Sequence, residues 1–204
     1  MTKTVEVYAD ITCPFTHVGL KQIVRHIGET EHPVDVIVRA WPLEWVNGSP
    51  LAVDGVLAKA AALTEQLGVD DFSGLRADHW PSSTIPALNL VASAYERDPV
   101  VGLAVSLELR AALFGHGIDV GDPDVLAFIA ANHDLPAPAT EASAAVTHDY
   151  DEGQARGVQG SPHFFIGDEG FFCPALDLGH DTDGHLTARF DGKMLGEFFA
   201  RIDH

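Results

Sequence analysis

Cys13 is the residue whose type and setting most clearly point to chemistry. It lies in the segment DITCPFTHVG, residues 10–19, after a predicted strand and directly before Pro14, a residue type favoured at the first position of a helix. A sulfur at a helix N-terminus lies near unpaired backbone N–H groups and the positive end of the helix dipole, which favour the thiolate. Because the thiolate is the nucleophile in disulfide exchange, this position predicts a reactive cysteine. The alternative is a small buried hydrophobe, as many lone cysteines are.

A second segment with an unusual pattern is GVQGSPHFFIG, residues 157–167. Pro162 begins a short aromatic, β-branched run there, and a proline is tolerated at a strand start because the ladder needs no N–H at that position. A cis Ser161–Pro162 bond is compatible with this pattern, but sequence does not reveal it. Taken alone, the segment is typical of an ordinary loop proline.

The elements around these segments follow from hydrophobic periodicity. Strands are predicted at residues 4–9 and 35–41, and a helix from Pro14 to Gly28 lies between them, which implies parallel pairing. Strand patterns then give way to helical ones, at 56–67, 85–96, 100–114, 124–131 and 140–156. Strands return at 162–167 and 186–190, before a helix at 193–202. We therefore predict one sheet built from both ends of the chain, with helices inserted in the middle.

This layout and the two segments together resemble the DsbA family of thioredoxin-fold proteins. Within it the sequence looks most like a cytoplasmic FrnE-like branch, which is similar to 2-hydroxychromene-2-carboxylate isomerases and kappa-class glutathione transferases. The resemblance implies an α/β protein, a thioredoxin-like fold with an inserted all-helical domain. Residues 1–48 and 152–204 would form the thioredoxin-like domain, and residues 49–151 the helical insertion.

The same resemblance implies roles for individual residues. Cys13 would be the nucleophile, and Pro162 would be cis and pack beside it. The backbone of Ser161 would receive a sulfur-bearing substrate, and Trp41 would face a groove near Cys13. The predicted substrate-binding residues are therefore Pro14, Phe15, Trp41, Ser161 and Pro162.

Thr16 is the main departure from the family pattern. Dithiol members of the family have C-P-x-C, and here Thr16 occupies the position of the second cysteine. Cys13 cannot form a disulfide within this motif, so we predict monothiol exchange through a mixed disulfide, completed by glutathione or another small thiol. No tightly bound cofactor is expected. Thr16 is predicted to act with Cys13 in catalysis by donating its hydroxyl to the thiolate.

Two other functions stay open at this point. The isomerase and transferase relatives have serine at the position of Cys13, so a glutathione-dependent isomerase or transferase is the alternative enzyme. A binding or chaperone-like module would explain the loss of the second cysteine without any turnover. His17 and His163 are candidate imidazolium partners of the thiolate, but no base is assigned.

The composition of the chain limits the classes of molecule that it is expected to bind. The chain has 30 acidic and 12 basic residues and a formal net charge of −18, which disfavours nucleic acid and anionic lipid. It has no apolar run long enough for a membrane span and no secretory signal, so a cytoplasmic protein is expected. The expected partner is a small-molecule thiol or a thiol-containing protein, and a homodimer stays open. No metal is predicted, because the acidic and histidine residues between 177 and 185 match no closed site.

Overall fold

The main sheet joins the two ends of the chain, as predicted. The computed structural model describes residues 2–30 and 32–203. The four strands of this sheet are β1 (Lys3–Ala9), β2 (Val34–Ala40), β3 (His163–Ile166) and β4 (Glu169–Phe172). Their order is β2-β1-β3-β4. β1 and β2 are parallel, whereas β1 pairs with β3 and β3 with β4 in antiparallel fashion.

The helix α1 (Pro14–Glu29) connects the two parallel strands and packs on one face of the sheet. It begins at the predicted proline, and its buried positions include Val18, Leu20 and Ile23. At Gly19 the helix is in van der Waals reach of the loop before β3, since a β-carbon there would lie 4.0 Å from the Pro162 ring. The second turn of α1 thereby contacts the segment that precedes β3.

Helices fill the middle of the chain, as predicted. They are α2 (Leu43–Asn47), α3 (Val53–Leu67), α4 (Ile85–Arg97), α5 (Pro99–Arg110), α6 (Pro123–Asn132) and α7 (Ala144–Ala155). The predicted helix at 100–114 is α-helical only to Arg110, and residues Ala111–Gly115 form a π-helical segment. The short α2 was not predicted. The predicted domain boundary at 151 and 152 falls inside α7, and the division into two domains stays a prediction.

One strand forms where it was predicted but in a different sheet. The predicted strand at 186–190 is not part of the main sheet but forms β6 (Leu186–Phe190), which pairs with β5 (Leu176–His180) in a separate hairpin. The physical reason is the backbone conformation at Cys173, which follows the last residue of β4. Its positive φ of 49° is not that of a strand, so β4 ends there and the chain turns away from the main sheet. Alternating polarity predicts a strand but not its partner. Gln66 of α3 holds the small sheet through hydrogen bonds to Leu186 and Ala188.

The core lies on both faces of the main sheet. On one face Phe164 packs edge-on against Phe198 of α8 (Gly192–Asp203), with ring centres 5.4 Å apart. On the other face Tyr8, Trp41 and Phe165 form an aromatic cluster beside α7. Buried residues of the sheet and of the helical segment form one continuous apolar cluster, so the helices are anchored on the sheet rather than around a core of their own.

Candidate functional site

Cys13 is the residue that precedes the first turn of α1, as predicted. Its backbone is extended, with φ −79° and ψ 113°, and its carbonyl accepts from the His17 N–H at 3.2 Å. The side chain is 3% exposed. Its thiol donates to the carbonyl oxygen of Ser161, with Sγ and the oxygen 2.9 Å apart. The sulfur therefore lies between a helix N-terminus and the loop before β3.

This loop contains a cis peptide bond between Ser161 and Pro162. It is held from both sides, because β3 begins at His163, opposite Tyr8 of β1, and the Cys173 N–H donates to the Pro162 carbonyl at 3.0 Å. The carbonyl of Ser161 is consequently kept next to the sulfur of Cys13. Pro162 itself is buried against α1.

Thr16 is hydrogen-bonded to Ser161 in this structure, and its predicted hydrogen bond to the Cys13 thiolate stays a prediction. Its hydroxyl lies 2.8 Å from the hydroxyl of Ser161, which also accepts from the Asp10 N–H at 3.0 Å. Thr16 is fully buried, and a buried hydroxyl needs a partner, which Ser161 provides. The chain of hydrogen bonds from Asp10 through Ser161 to Thr16 fastens the turn before α1 to the loop before β3.

Asp10 is a site residue to which the sequence analysis gave no role. Its carboxylate is fully buried and accepts four hydrogen bonds. Two come from the N–H and hydroxyl of Thr12, at 2.8 and 2.6 Å. The others come from the Leu43 N–H at 2.8 Å and the Thr84 hydroxyl at 3.0 Å. Asp10 thereby ties the turn that carries Cys13 to α2 and to the start of α4. The sequence contained one indication of this role, since Asp10 follows a predicted strand and is the first residue of the segment that contains Cys13.

Arg110 is the second residue that the sequence analysis missed. It is the last residue of α5, is fully buried, and donates from Nη1 to the carbonyl of Asp10 at 2.7 Å and to that of Ile11 at 3.3 Å. The sequence contained one indication of this role. Arg110 lies four residues after the buried Ser106, so both residues are on the same buried face of an apolar helix. The apolar pattern of this run predicts a core helix and gives no role to the charge.

The two histidines near the motif are not imidazolium partners of Cys13. Burial lowers the pKa of His17 to about 4, and the positive charge of Arg110 acts in the same direction. Burial also lowers the pKa of His163, as does the charge of Arg156. The His163 Nδ1 accepts from the Gln159 N–H at 3.1 Å. Both rings are therefore neutral at pH 7.

Cys173 is a poor candidate for a resolving thiol. Both cysteines are free and buried. Burial raises the pKa of the Cys173 thiol to about 12, and the proximity of Cys13 acts in the same direction. Since exchange requires a thiolate, Cys173 is not an effective nucleophile at neutral pH in this conformation.

The remaining predicted substrate-binding residues differ in their surroundings. Pro14 is buried at the helix start, and Phe15 is partly buried, with the Lys59 ammonium 5.8 Å from its ring centre. Trp41 does not lie in an open groove, because its ring is 5% exposed and packs on Tyr8 and on Tyr150 of α7. The side chain of Trp41 thus belongs to the core, and we leave it out of the site.

The acidic and histidine residues near the C-terminus include one compact group. Asp181, Asp183 and His185 place one possible ligand atom each within 4.8 Å of the others, and all three are exposed. The Asp181 carboxylate accepts from the backbone N–H groups of Asp183 and His185, at 2.9 and 2.8 Å. These hydrogen bonds explain the grouping as part of the turn between β5 and β6.

The arrangement at Cys13 supports sulfur chemistry. A thiol precedes a helix, a backbone carbonyl lies beside it, and a buried guanidinium is bound to the turn behind it.

Within residues 2–30 and 32–203, no helix is long and apolar enough to cross a membrane.

Solved structures of similar fold include thiol enzymes and an isomerase. A probable DsbA oxidoreductase from Streptomyces coelicolor is 21% identical with a TM-score of 0.60, over 83% of this chain and 82% of that chain. The cytosolic disulfide reductase DsbM from Pseudomonas aeruginosa is 17% identical with a TM-score of 0.59, over 97% and 94% of the two chains. A 2-hydroxychromene-2-carboxylate isomerase is 19% identical with a TM-score of 0.59, over 83% and 88%. At these identities the likeness concerns the fold.

Sequence comparison gives the family directly. None of the curated proteins matches the chain. The family model described as the DSBA-like thioredoxin domain matches residues 4–180, which include Cys13, the helical segment and the Ser161–Pro162 loop. The chain is therefore a member of the DsbA family of thioredoxin-fold proteins.

Proposed function

We propose that this protein is a monothiol oxidoreductase, in which Cys13 exchanges disulfides with the help of glutathione. The observation that carries the proposal is the setting of Cys13, a free thiol at the start of α1 and 2.9 Å from the Ser161 carbonyl, with Thr16 in place of a second motif cysteine. Membership of a thiol-oxidoreductase family supports the reaction class.

The proposed reaction consists of two thiol–disulfide exchanges. The Cys13 thiolate attacks one sulfur of a substrate disulfide, forms a mixed disulfide and releases the other sulfur as a thiolate, which takes up a proton. A glutathione thiolate then attacks the substrate sulfur of the mixed disulfide and releases the Cys13 thiolate. The net result is one disulfide exchanged for another, with one substrate thiol and one mixed disulfide of glutathione as products.

The Ser161 carbonyl would serve two states of this reaction. In the resting protein it accepts the proton of the Cys13 thiol. Once the thiol has lost its proton, the carbonyl is free to accept an N–H from an extended substrate, in the manner of a strand added to a sheet edge. The hydrogen bonds of Ser161 Oγ to Thr16 and Asp10 would keep the loop in place during this change.

Glutathione is proposed as the second thiol because the chain offers no effective alternative. Cys173 is buried and its pKa is raised, so it would not release the substrate. One structure of similar fold is that of DsbM with GSH, at 16% identity and a TM-score of 0.60 over 82% of this chain and 88% of that one. A reducing, cytosolic compartment is part of the proposal, because it supplies glutathione and keeps both cysteines reduced.

Reduction of a glutathionylated peptide by glutathione tests the proposal, with Cys13→Ser as the decisive variant and Cys173→Ala as its matched control. We expect Cys13→Ser to fall to the uncatalysed rate, and Cys173→Ala to keep wild-type activity. A Cys13→Ser variant that retains activity would overturn the assignment, as would a wild-type protein that forms no mixed disulfide detectable by mass spectrometry.

A glutathione-dependent isomerase or transferase is the second candidate. It is favoured by the absence of a second motif thiol and by the fold shared with 2-hydroxychromene-2-carboxylate isomerase. In that case glutathione supplies the reactive sulfur, and its binding survives Cys13→Ser. Calorimetry distinguishes the two: saturable glutathione binding to a Cys13→Ser variant, in a protein without exchange activity, would favour the isomerase or transferase.

A further inference from the structure

Arg110 is a buried cation whose charge is only partly accounted for by its contacts. Its Nη1 group is hydrogen-bonded to the carbonyls of Asp10 and Ile11, in the turn that leads into Cys13. Among the residues that the structure describes, Nε and Nη2 have no hydrogen-bond partner. A fully buried guanidinium without a bonded carboxylate is uncommon, because burial of an unpaired charge is unfavourable.

The groups around Arg110 include two that can carry a negative charge, the Asp10 carboxylate and the Cys13 sulfur. The Asp10 carboxylate accepts four hydrogen bonds, from Thr12, Leu43 and Thr84, and these stabilise its negative charge. The Tyr95 hydroxyl donates to the Val36 carbonyl at 2.9 Å, and the pKa of Tyr95 is raised by burial, so this residue is neutral. Among the described residues, the Cys13 sulfur, when ionised, is the negative group near Arg110 that has no such set of donors, because its neighbour is a carbonyl oxygen.

Cys13 needs such a charge. A negative charge on this sulfur would be buried and would face a carbonyl oxygen at 2.9 Å, so it requires a compensating positive charge. The N-terminus of α1 offsets only part of this effect. The neighbouring His17 and His163 are neutral, so neither supplies a positive charge.

We propose that Arg110 is a positioning residue for the exchange reaction, whose positive charge stabilises the Cys13 thiolate from behind the turn that its Nη1 group holds. The inference rests on the proposed function in taking Cys13 as the nucleophile. Burial lowers the pKa of Arg110 to about 10, while the charges of Cys13 and Asp10 act against this, so the guanidinium stays protonated at neutral pH.

Four titratable groups surround Cys13 and Arg110. Those that face Cys13 and Arg110 are Asp10 in the turn, His17 on α1, Tyr95 on α4 and Cys173 after β4. The pKa of His17 lies at about 4 and that of Cys173 at about 12, and the pKa of Tyr95 is raised above its usual value. A midpoint in the alkylation of Cys13 between pH 5 and 9 is therefore not that of His17, Tyr95 or Cys173.

The test is the rate of iodoacetamide alkylation of Cys13 against pH in variants of Arg110, with the modified residue identified by mass spectrometry. We expect Arg110→Met and Arg110→Gln to raise the midpoint and slow alkylation at pH 7 by about tenfold, since the cation is lost. Arg110→Lys places a cation here whose charged form burial disfavours, so we expect an alkylation rate between those of the wild type and Arg110→Gln. Ser106→Ala, on the same buried face of α5, is the matched control and is expected to leave the midpoint unchanged.

A second measurement avoids any change at Arg110. The side-chain Nε–H NMR signal of Arg110 is expected to move with pH at the alkylation midpoint of Cys13 in the wild-type protein, and to stay constant in Cys13→Ser. An unchanged midpoint in folded Arg110→Gln, or an Nε–H signal indifferent to Cys13, would show that Arg110 has only a structural role. Peptide deglutathionylation by the wild type is measured separately, so a failure of the proposed function is distinguishable from a failure of this inference.

Discussion

The hydroxyls of Thr16 and Ser161 lie 2.8 Å apart, at the position where dithiol members of the family have a second cysteine. This contact joins the first turn of α1 to the loop that ends in Pro162. At this position Thr16 therefore makes a structural contact to Ser161 rather than a contact to the Cys13 sulfur. The difference has consequences for stability and for the chemistry of the motif.

The first prediction concerns the free energy of unfolding. Ser161→Ala leaves the Asp10 N–H and the Thr16 hydroxyl without their partner, and we expect a loss of about 2 kcal/mol, whereas Thr16→Val costs about 1 kcal/mol because Ser161 keeps its bond from Asp10. The double variant is expected to cost less than the two single effects added together. Urea unfolding measures all three. Thr64→Val, at an exposed position of α3, is the control, and a Ser161→Ala protein no less stable than this control would refute the prediction.

The second concerns the chemistry of Thr16→Cys. This change restores C-P-x-C and provides a resolving thiol three residues from Cys13, so a mixed disulfide can be released within the motif. We expect the glutathione adduct of Cys13 to accumulate in the wild type and to disappear in Thr16→Cys, where Cys13 instead forms a disulfide with the introduced thiol. Mass spectrometry after treatment with oxidised glutathione measures both species. Thr16→Ser, which keeps the hydroxyl, is expected to behave as the wild type, and adduct loss in this control would disprove the explanation.

A third prediction concerns stability against pH. The pKa of His17 is lowered to about 4 in the folded protein, against about 6.5 in an unfolded chain, so the unfolded state binds more protons between these values. Stability contributed by the neutral ring is fully present above pH 6.5 and is lost as pH falls toward 4, by about 3 kcal/mol. The free energy of unfolding is measured with urea between pH 4 and 7. We expect it to change less steeply with pH in His17→Phe than in the wild type. His148→Gln, at an exposed site, is expected to keep the wild-type slope.

The sequence by itself determined most of the elements and the position of Cys13 at a helix start. The periodicity around Cys13 and Pro14 predicted a strand, a helix start and a parallel partner strand, because these depend on local patterns of burial and on proline geometry. The two motifs predicted which segments of the chain meet, and the family that they resemble is confirmed. The separate hairpin of β5 and β6 was not predictable, since alternation does not specify a pairing partner.

Tertiary structure alone decided the surroundings of the sulfur. Thr16 turns to Ser161, Trp41 is covered by α7, and Arg110 reaches the turn before Cys13 from 97 residues further along the chain. Such contacts depend on where buried polar groups find partners after the helices have packed, and this is a property of the assembled core rather than of local sequence. For the same reason a charged residue on an apolar helix face could be seen in the sequence, but its partner could not.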